Sequence, residues 1–302
     1  MSLIITIYTR EGIVMAADSR LTLNTRQDQS GQQVLQLAVG QTDSVRKLFV
    51  APDAVGIATY GAADIQGVPI AGYVDSFVQE CLNPPLEVDA VPQVLLEYFR
   101  ALPGPPATWF HVAGYKLEQG SRSQHMWVVD VARNTVQRVN QPDQQGAQWG
   151  GEVDVLSRLI SPVFVRDAQG AYQAVPTFGI PWQFFTLQDA IDFAAFGMRA
   201  TIESMRFQTR ARTVGGPVDI VVLKPDSVEW VARSNYDHRP VSAVTHNIRL
   251  HQTPRAPSVV PARGAGEPAR WADENNNELA ETTLPVSRLS AVVRDSENSD
   301  RG

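Results

Sequence analysis

The chain lacks several things, and each shortage excludes a class of protein. A single cysteine, Cys81, stands among 302 residues, so no intramolecular disulfide framework can form, and the thiol is read as a small packed hydrophobe. No apolar run approaches the roughly 18–20 residues that a membrane span needs. The amino terminus has no basic segment leading into a long apolar core, as a secretory leader would. Together these give the expectation of a cytoplasmic protein with no membrane partner. Positive charge is not in excess either. The 26 Lys and Arg against 32 Asp and Glu leave a net charge of −6, which supplies no electrostatic reason to bind nucleic acid. The histidines show no metal-ligand spacing with cysteine or carboxylates. Gly61 to Gly67 lacks the Lys-Ser/Thr ending of a phosphate loop, and no Gly-x-Ser-x-Gly elbow is present. Neither a metal nor a cofactor is expected. Lysine is scarce beside arginine: the lysines are Lys47, Lys116 and Lys224. Lysine can shift its pKa and act as a compact point charge, which arginine cannot, so each is a candidate for a chosen role.

What is present is an ordinary globular composition, 43% hydrophobic and 19% charged, with enough chain to bury a sizeable core. The order of signals divides it into a domain over residues 1–232, with an irregular Pro- and aromatic-rich insertion at about 161–185, and a tail over 233–302. The tail is rich in Pro, Arg, Asn, Ser and Glu and is expected to be extended or disordered. No internal repeat is found. β-Branched runs Leu3–Tyr8 and Ile13–Ala17 flank Arg10-Glu11-Gly12 and predict a hairpin. Gln32–Val39 alternates as a further hairpin arm. Lys47–Ala51 and Val55–Thr59 read as strands around the Pro52-Asp53 turn. From Gly61 the chain is read as helical, then as helices over 70–82 and 90–102, the latter capped by Asp89. Strands return over 109–115, 124–130 and 135–139. Residues 141–148 read as a polar loop, and Trp149-Gly150-Gly151 as the opening of a short helix to Ile160. Thr186 and Asp189 approximate a capping box for a helix to about Phe207. A last hairpin surrounds Pro225-Asp226.

The chemistry concentrates at the amino terminus. If Met1 is removed, the first strand begins with a free amine on Ser2. An α-amine has an ordinary pKa of about 7.7–8.0, so near neutrality a sizeable fraction can accept a proton from its own hydroxyl. One residue then supplies both nucleophile and base. Such a site needs a cation to hold the amine's pKa down and an acid to orient that cation. Lys47 and Asp18 are the candidates.

Gly-Ile-Val-Met-Ala-Ala-Asp-Ser-Arg at 12–20 resembles the second strand and turn of proteasome β subunits and related bacterial ring proteases. Val45-Arg46-Lys47-Leu48-Phe49-Val50 resembles their catalytic-lysine segment, and Tyr60-Gly61-Ala62-Ala63-Asp64 their Gly-x-Ala-Ala-Asp segment. Val214-Gly215-Gly216-Pro217-Val218-Asp219 resembles their Gly-Gly turn. The resemblance spans roughly residues 2–231. It implies an α+β, four-layer αββα sandwich of the N-terminal-nucleophile type. It implies Ser2 as nucleophile, Asp18 and Lys47 as its charge pair, the Gly61 N–H as oxyanion donor, and Arg20 as a brace for the turn. It also implies a self-assembled ring or helical stack acting on peptide or unfolded-protein substrates, with an ATPase partner in some members. Three departures stand against activity, the first being Ser2 where the family has a Thr nucleophile. Trp149-Gly150-Gly151 lacks the serine of the corresponding turn, and Ser157 lies too far into the following helix to replace it. Ala211 and Val214 occupy places where the family has an acid and a hydroxyl; Thr213 offers a hydroxyl, but no residue there offers the acid. A catalytically silent structural or binding member and a small-amide acylase are the alternatives.

Overall fold

Strand β1 (Leu3–Thr9) is buried along its whole length, which is why its sequence is a nearly unbroken apolar run. It pairs with β2 (Gly12–Asp18) through a tight turn at Arg10-Glu11, with Thr9 opposite Gly12. A computed structural model describes residues 2–29, 32–118, 120–141, 144–233, 259–260 and 270–271. After β2 come the arm β3 (Leu21–Gln29) and β4 (Gln32–Thr42), then β5 (Leu48–Ala51) and β6 (Val55–Gly61). A small hairpin, β7 (Asp64–Ile65) and β8 (Val68–Pro69), precedes α1 (Ile70–Cys81) and α2 (Val91–Ala101). Next are β9 (Thr108–Glu118), β10 (Ser121–Asp130), β11 (Thr135–Arg138), β12 (Gly146–Gly151) and α3 (Asp154–Ile160). A ribbon of β13 (Phe164–Arg166) and β14 (Tyr172–Ala174) leads to α4 (Leu187–Met205), β15 (Val218–Lys224) and β16 (Ser227–Ala232).

Two five-stranded sheets carry the fold, in the orders β12-β1-β2-β15-β16 and β11-β10-β9-β6-β5. Their strand pairs are antiparallel. The period-2 geometry of a strand sends alternate side chains to opposite faces, and β1 follows it. Leu3, Ile5 and Ile7 join a cluster with Leu156 of α3 and Ala194 and Met198 of α4. Ile4 and Tyr8 join another with Met15, Leu48, Ala58, Met126 and Leu223, drawn from both sheets. A third cluster sets Phe77 of α1 and Leu95 and Phe99 of α2 against Ile57, Phe110 and Val112. Fully burying such a side chain is worth roughly 1.5–3 kcal/mol. Every residue of β1 is buried, so its position is fixed from both faces.

The expected α+β four-layer αββα sandwich is corrected by these observations. The domain is mostly antiparallel sheet: two five-stranded sheets and, among the described residues, three two-stranded ribbons accompany only four α-helices. Helical cover is partial, since edge strands β11 and β16 alternate between exposed and half-buried residues. Segments read as helix or loop account for part of the difference. The stretch after Gly61 is the β7–β8 hairpin, because Gln66 and Gly67 both have positive φ (52° and 82°), the geometry of a type I′ turn. Residues 146–151, read as loop and helix opening, form β12 on the free edge of β1. Asp89 does not cap α2, whose N-cap is Ala90; it pairs with Lys116 instead. The Thr186–Asp189 capping box of α4 is present in both directions.

The chain divides into two units, Met1–Asp237 and His238–Gly302. The second unit is described only at one short ribbon, β17 (Val259–Val260) with β18 (Arg270–Trp271). The rest of the tail expected from residue 233 lies outside the described residues. Among the described residues no helix is long and apolar enough to cross a membrane.

One buried polar pair makes the fold sensitive to acid. His111 on β9 is fully buried, and its Nδ1 lies 3.0 Å from Thr6 Oγ1 on β1. Burial pulls the imidazole pKa from 6.5 down to about 3. Between those values the unfolded chain binds a proton that the folded chain refuses. Stability from this group is therefore complete above about pH 6.5 and is lost as pH falls toward 3, at about 1.4 kcal/mol per pH unit. Urea unfolding of the Thr6→Val/His111→Leu double variant is expected to show a shallower loss of stability between pH 6 and 4 than the unaltered chain. An unchanged slope would remove His111 as the cause.

Candidate active site

Asp18 closes β2 and is 1% exposed. Its carboxylate is satisfied on both oxygens. Oδ1 accepts the Leu3 backbone N–H at 3.0 Å and Lys47 Nζ at 2.8 Å. Oδ2 accepts the backbone N–H groups of Arg20 at 3.2 Å and Gly215 at 3.1 Å. Four donors match the roughly four lone-pair positions of an ionised carboxylate, so the group is held as an acceptor in one orientation.

Lys47 immediately precedes β5 and is 5% exposed. Besides Asp18, its ammonium donates to the Arg20 carbonyl at 2.5 Å. Burial pulls its pKa below 10.5, and the charge and hydrogen bond of Asp18 oppose that fall. The backbone of Lys47 is fixed as well, its carbonyl accepting the Thr59 N–H at 2.9 Å.

Ser2 precedes β1, is 6% exposed, and shares one cleft with Lys47, Gly61, Thr22 and Thr59. Met1 lies outside the described residues. The Ser2 carbonyl accepts the Glu152 backbone N–H at 2.8 Å. The chain bends there at Gly151, with φ of +96°, and a Cβ at Gly151 would lie 1.8 Å from the Ser2 carbonyl oxygen. Only glycine fits so close an approach. Gly61, at the cleft end of β6, has φ of +109°, and a Cβ there would lie 2.6 Å from the Ala107 carbonyl and 2.8 Å from the Trp109 ring.

The four residues singled out in the sequence thus meet at one end of the two sheets. Ser2, Lys47 and Gly61 line the cleft, and Asp18 holds the lysine from beneath it. Arg20 takes the bracing position expected of it, gripping Asp43 at 2.6 and 2.7 Å and tying the base of the β3–β4 arm to the turn after β2. Ser19 Oγ lies 2.8 Å from both the Asp43 and Pro217 carbonyls, so three segments converge on this turn.

Three residues escaped the sequence reading. Thr22 Oγ1 is buried without a partner among the described residues and lines the same cleft, so its hydroxyl is a candidate contact for a bound amide. Its signal is faint, one threonine in a polar stretch. Glu152 supplies a carboxylate close in the chain to the Ser2 contact. Its Oε1 accepts Thr213 Oγ1 at 3.2 Å and its Oε2 accepts Arg210 Nη1 at 3.1 Å. Arg210 also reaches both Asp154 oxygens, at 2.9 and 3.1 Å. The Glu152 backbone N–H is what bonds Ser2, while its carboxylate bonds loop residues on either side of Ala211. Its position directly after Trp149-Gly150-Gly151 was the available signal. Among the described residues no group of His, Cys, Asp and Glu is arranged to hold a metal ion.

No family model and no curated protein matches the chain. Among solved structures it is similar to Anbu (ancestral beta-subunit) from Yersinia bercovieri, at 16% identity over 73% of this chain and 80% of that one, with a TM-score of 0.45. It is also similar to Anbu from Hyphomicrobium sp. strain MC1, at 13% identity over 77% of this chain and 88% of that one, with a TM-score of 0.49. A Gly-1 mutant of the Hyphomicrobium protein gives 13% identity, 78% and 89% coverage and a TM-score of 0.48. The resemblance to proteasome β subunits drawn from the four motifs is corrected accordingly. No family model supports membership, and the three solved structures just named are Anbu proteins at 13–16% identity.

Proposed function

We propose that the chain is an amide hydrolase in which Ser2, exposed by removal of Met1, is the nucleophile and its own α-amine the base. The observation that carries this reading is the placement of Ser2 and the buried Lys47 on one cleft, with Lys47 anchored to Asp18. Ser2 Oγ attacks the amide carbonyl carbon, and the hydroxyl proton passes to the α-amine. As the carbon–nitrogen bond breaks, that proton goes to the leaving amine and an acyl-Ser2 ester remains; water then reverses the sequence and releases the acid. Lys47, charged, lowers the pKa of both hydroxyl and amine. Asp18 keeps the ammonium in place through a charge-assisted hydrogen bond. The Gly61 N–H is assigned to the developing oxyanion, a role whose removal typically costs on the order of 3–4 kcal/mol.

Peptides and unfolded segments are the substrate class we assign. Assembly with further copies is part of the reading. It is supported by the run of exposed aromatics between residues 164 and 184, where Phe164, Tyr172, Phe178 and Phe184 are 61%, 75%, 92% and 76% exposed. A catalytically silent member is the second reading, favoured by Ala211 and Val214 where an acid and a hydroxyl were sought.

Intact-mass measurement combined with labelling by a peptide epoxyketone separates the two. Loss of Met1, with one adduct that disappears in Ser2→Ala, is the expected result. Retained Met1, or equal labelling of Ser2→Ala, would exclude Ser2 as the nucleophile.

A further inference from the structure

The loop between α4 and β15, residues 206–217, touches both halves of this site. At Gly215 its backbone N–H donates to Asp18 Oδ2 at 3.1 Å, and its carbonyl accepts the Ser19 N–H at 3.2 Å. Five and two residues before Gly215, Arg210 and Thr213 grip the turn that holds Ser2. Arg210 spans Glu152 and Asp154, and Thr213, 4% exposed, donates to the other Glu152 oxygen. The Glu152 backbone N–H in turn holds the Ser2 carbonyl at 2.8 Å. Residue 2 sits at a chain end, where an unsecured strand frays. From Leu3 on the strand is secured by the Asp18 carboxylate and by β12 and β2; at residue 2 itself the carbonyl is held by the Glu152 N–H, on the turn that this loop grips.

We propose that Arg210, Thr213 and Glu152 act together as positioning residues for Ser2, so that the 206–217 loop sets the nucleophile and Asp18 in common register. Arg210 is suited to the task because a planar guanidinium can serve two carboxylates at once with fixed geometry. Its side chain is 35% exposed and that of Glu152 only 13%. The pair is partly shielded, but its value lies in geometry rather than in stability. The unit ties residue 2 to the loop through the Glu152 backbone N–H, while the Glu152 carboxylate is held by Arg210 and Thr213. The inference rests on the hydrolase reading for its kinetic consequence and on the hydrogen bonds alone for its structural one.

The test uses the full-length chain and two readouts. The first is the rate of epoxyketone labelling at Ser2, separated into its saturation constant and its limiting rate. Arg210→Ala and Thr213→Val are each expected to lower the limiting rate by roughly 10- to 100-fold, as small displacements of a reacting group do, with the saturation constant little changed. Thr213→Ser, which keeps the hydroxyl, is expected to restore most of the rate. The second readout is hydrogen exchange at the Glu152 amide, which needs no activity. Exchange is expected to speed up at least tenfold in Arg210→Ala while the amides of β9 and β10 stay protected. Unchanged labelling and unchanged Glu152 exchange in Arg210→Ala would overturn the proposal. So would equal loss in Thr213→Ser and Thr213→Val. Failure of the unaltered chain to label at all would remove the hydrolase reading, and the exchange result would still decide the positioning role.

Discussion

Replacing Lys47 with methionine is expected to slow turnover by about 10²–10⁴-fold, the range associated with a lost proton-transfer partner or its tuning charge, and to destabilise the fold as well. The two effects have separate origins. The first follows from losing the ammonium on the cleft that Ser2 lines. The second follows from leaving the buried Asp18 carboxylate without its cation. Breaking a buried pair by removing one partner typically costs about 3–5 kcal/mol. Asp18 keeps three backbone donors, from Leu3, Arg20 and Gly215, which puts the expected loss near the lower figure. The double variant Asp18→Asn/Lys47→Met should recover the cost of the unpaired charge only in part, since the new Nδ2 must face a backbone N–H, and none of the rate. Chemical denaturation and steady-state kinetics on the three proteins measure both.

The same lysine predicts a pH signature. Burial lowers its pKa below 10.5, so the charged form is lost at a lower pH than for an ordinary lysine. Activity should decline on the alkaline side below pH 10.5 as the ammonium deprotonates. Stability should move the other way. Between the lowered folded-state pKa and 10.5 the unfolded chain holds one more proton, so this group's contribution to stability rises with pH. Activity falling while stability climbs over the same interval would identify Lys47. A parallel decline of both would assign the alkaline loss to unfolding.

The second large effect is expected at Gly151. Alanine there must adopt a φ of +96° and place its Cβ 1.8 Å from the Ser2 carbonyl oxygen. The left-handed conformation costs roughly 1–2 kcal/mol, and the overlap a further 1–3 kcal/mol of displacement. The summed loss of about 2–5 kcal/mol corresponds to a fall in melting temperature of about 5–15 °C for a domain of this size. Ser2 must move or the turn must open, and either result releases the Glu152 N–H from the Ser2 carbonyl. Reactivity at Ser2 should therefore fall along with stability. Gly170→Ala is the comparison: its φ is +87°, but its nearest neighbour is the mobile end of Arg166 at 3.2 Å. It should show only the conformational part, about 1–2 kcal/mol, and no change in reactivity. Equal melting temperatures for the two variants would contradict the close-approach argument.

Local chemistry made part of this molecule legible in advance. The hairpin over residues 3–18 was readable from β-branched runs around a turn. The α4 cap was readable from Thr186 and Asp189, and the convergence of Ser2, Asp18, Lys47 and Gly61 from motif order. The errors have identifiable causes. Gly146–Gly151 is polar and glycine-rich, and its strand character comes from the free edge of β1 rather than from its own propensity. Asp64–Pro69 was read as helix because the Gln66–Gly67 turn depends on a non-glycine residue at positive φ. The layered architecture was carried over from the family resemblance, which is blind to the extra ribbons and the uncovered edge strands. Glu152 was missed because an acid was sought only just before Gly215-Gly216, whereas the hydrogen bonds that tie Glu152 to Arg210 and Thr213 cross separations of 58 and 61 residues.

The donors that converge on Asp18 come from positions 3, 20, 47 and 215. The last of these is 197 residues from the carboxylate it serves. A chain still emerging from the ribosome therefore lacks the last of the four Asp18 donors until residue 215 has been made. On the hydrolase reading, a nascent or truncated copy is expected to stay chemically quiet beside its neighbours until the domain is complete.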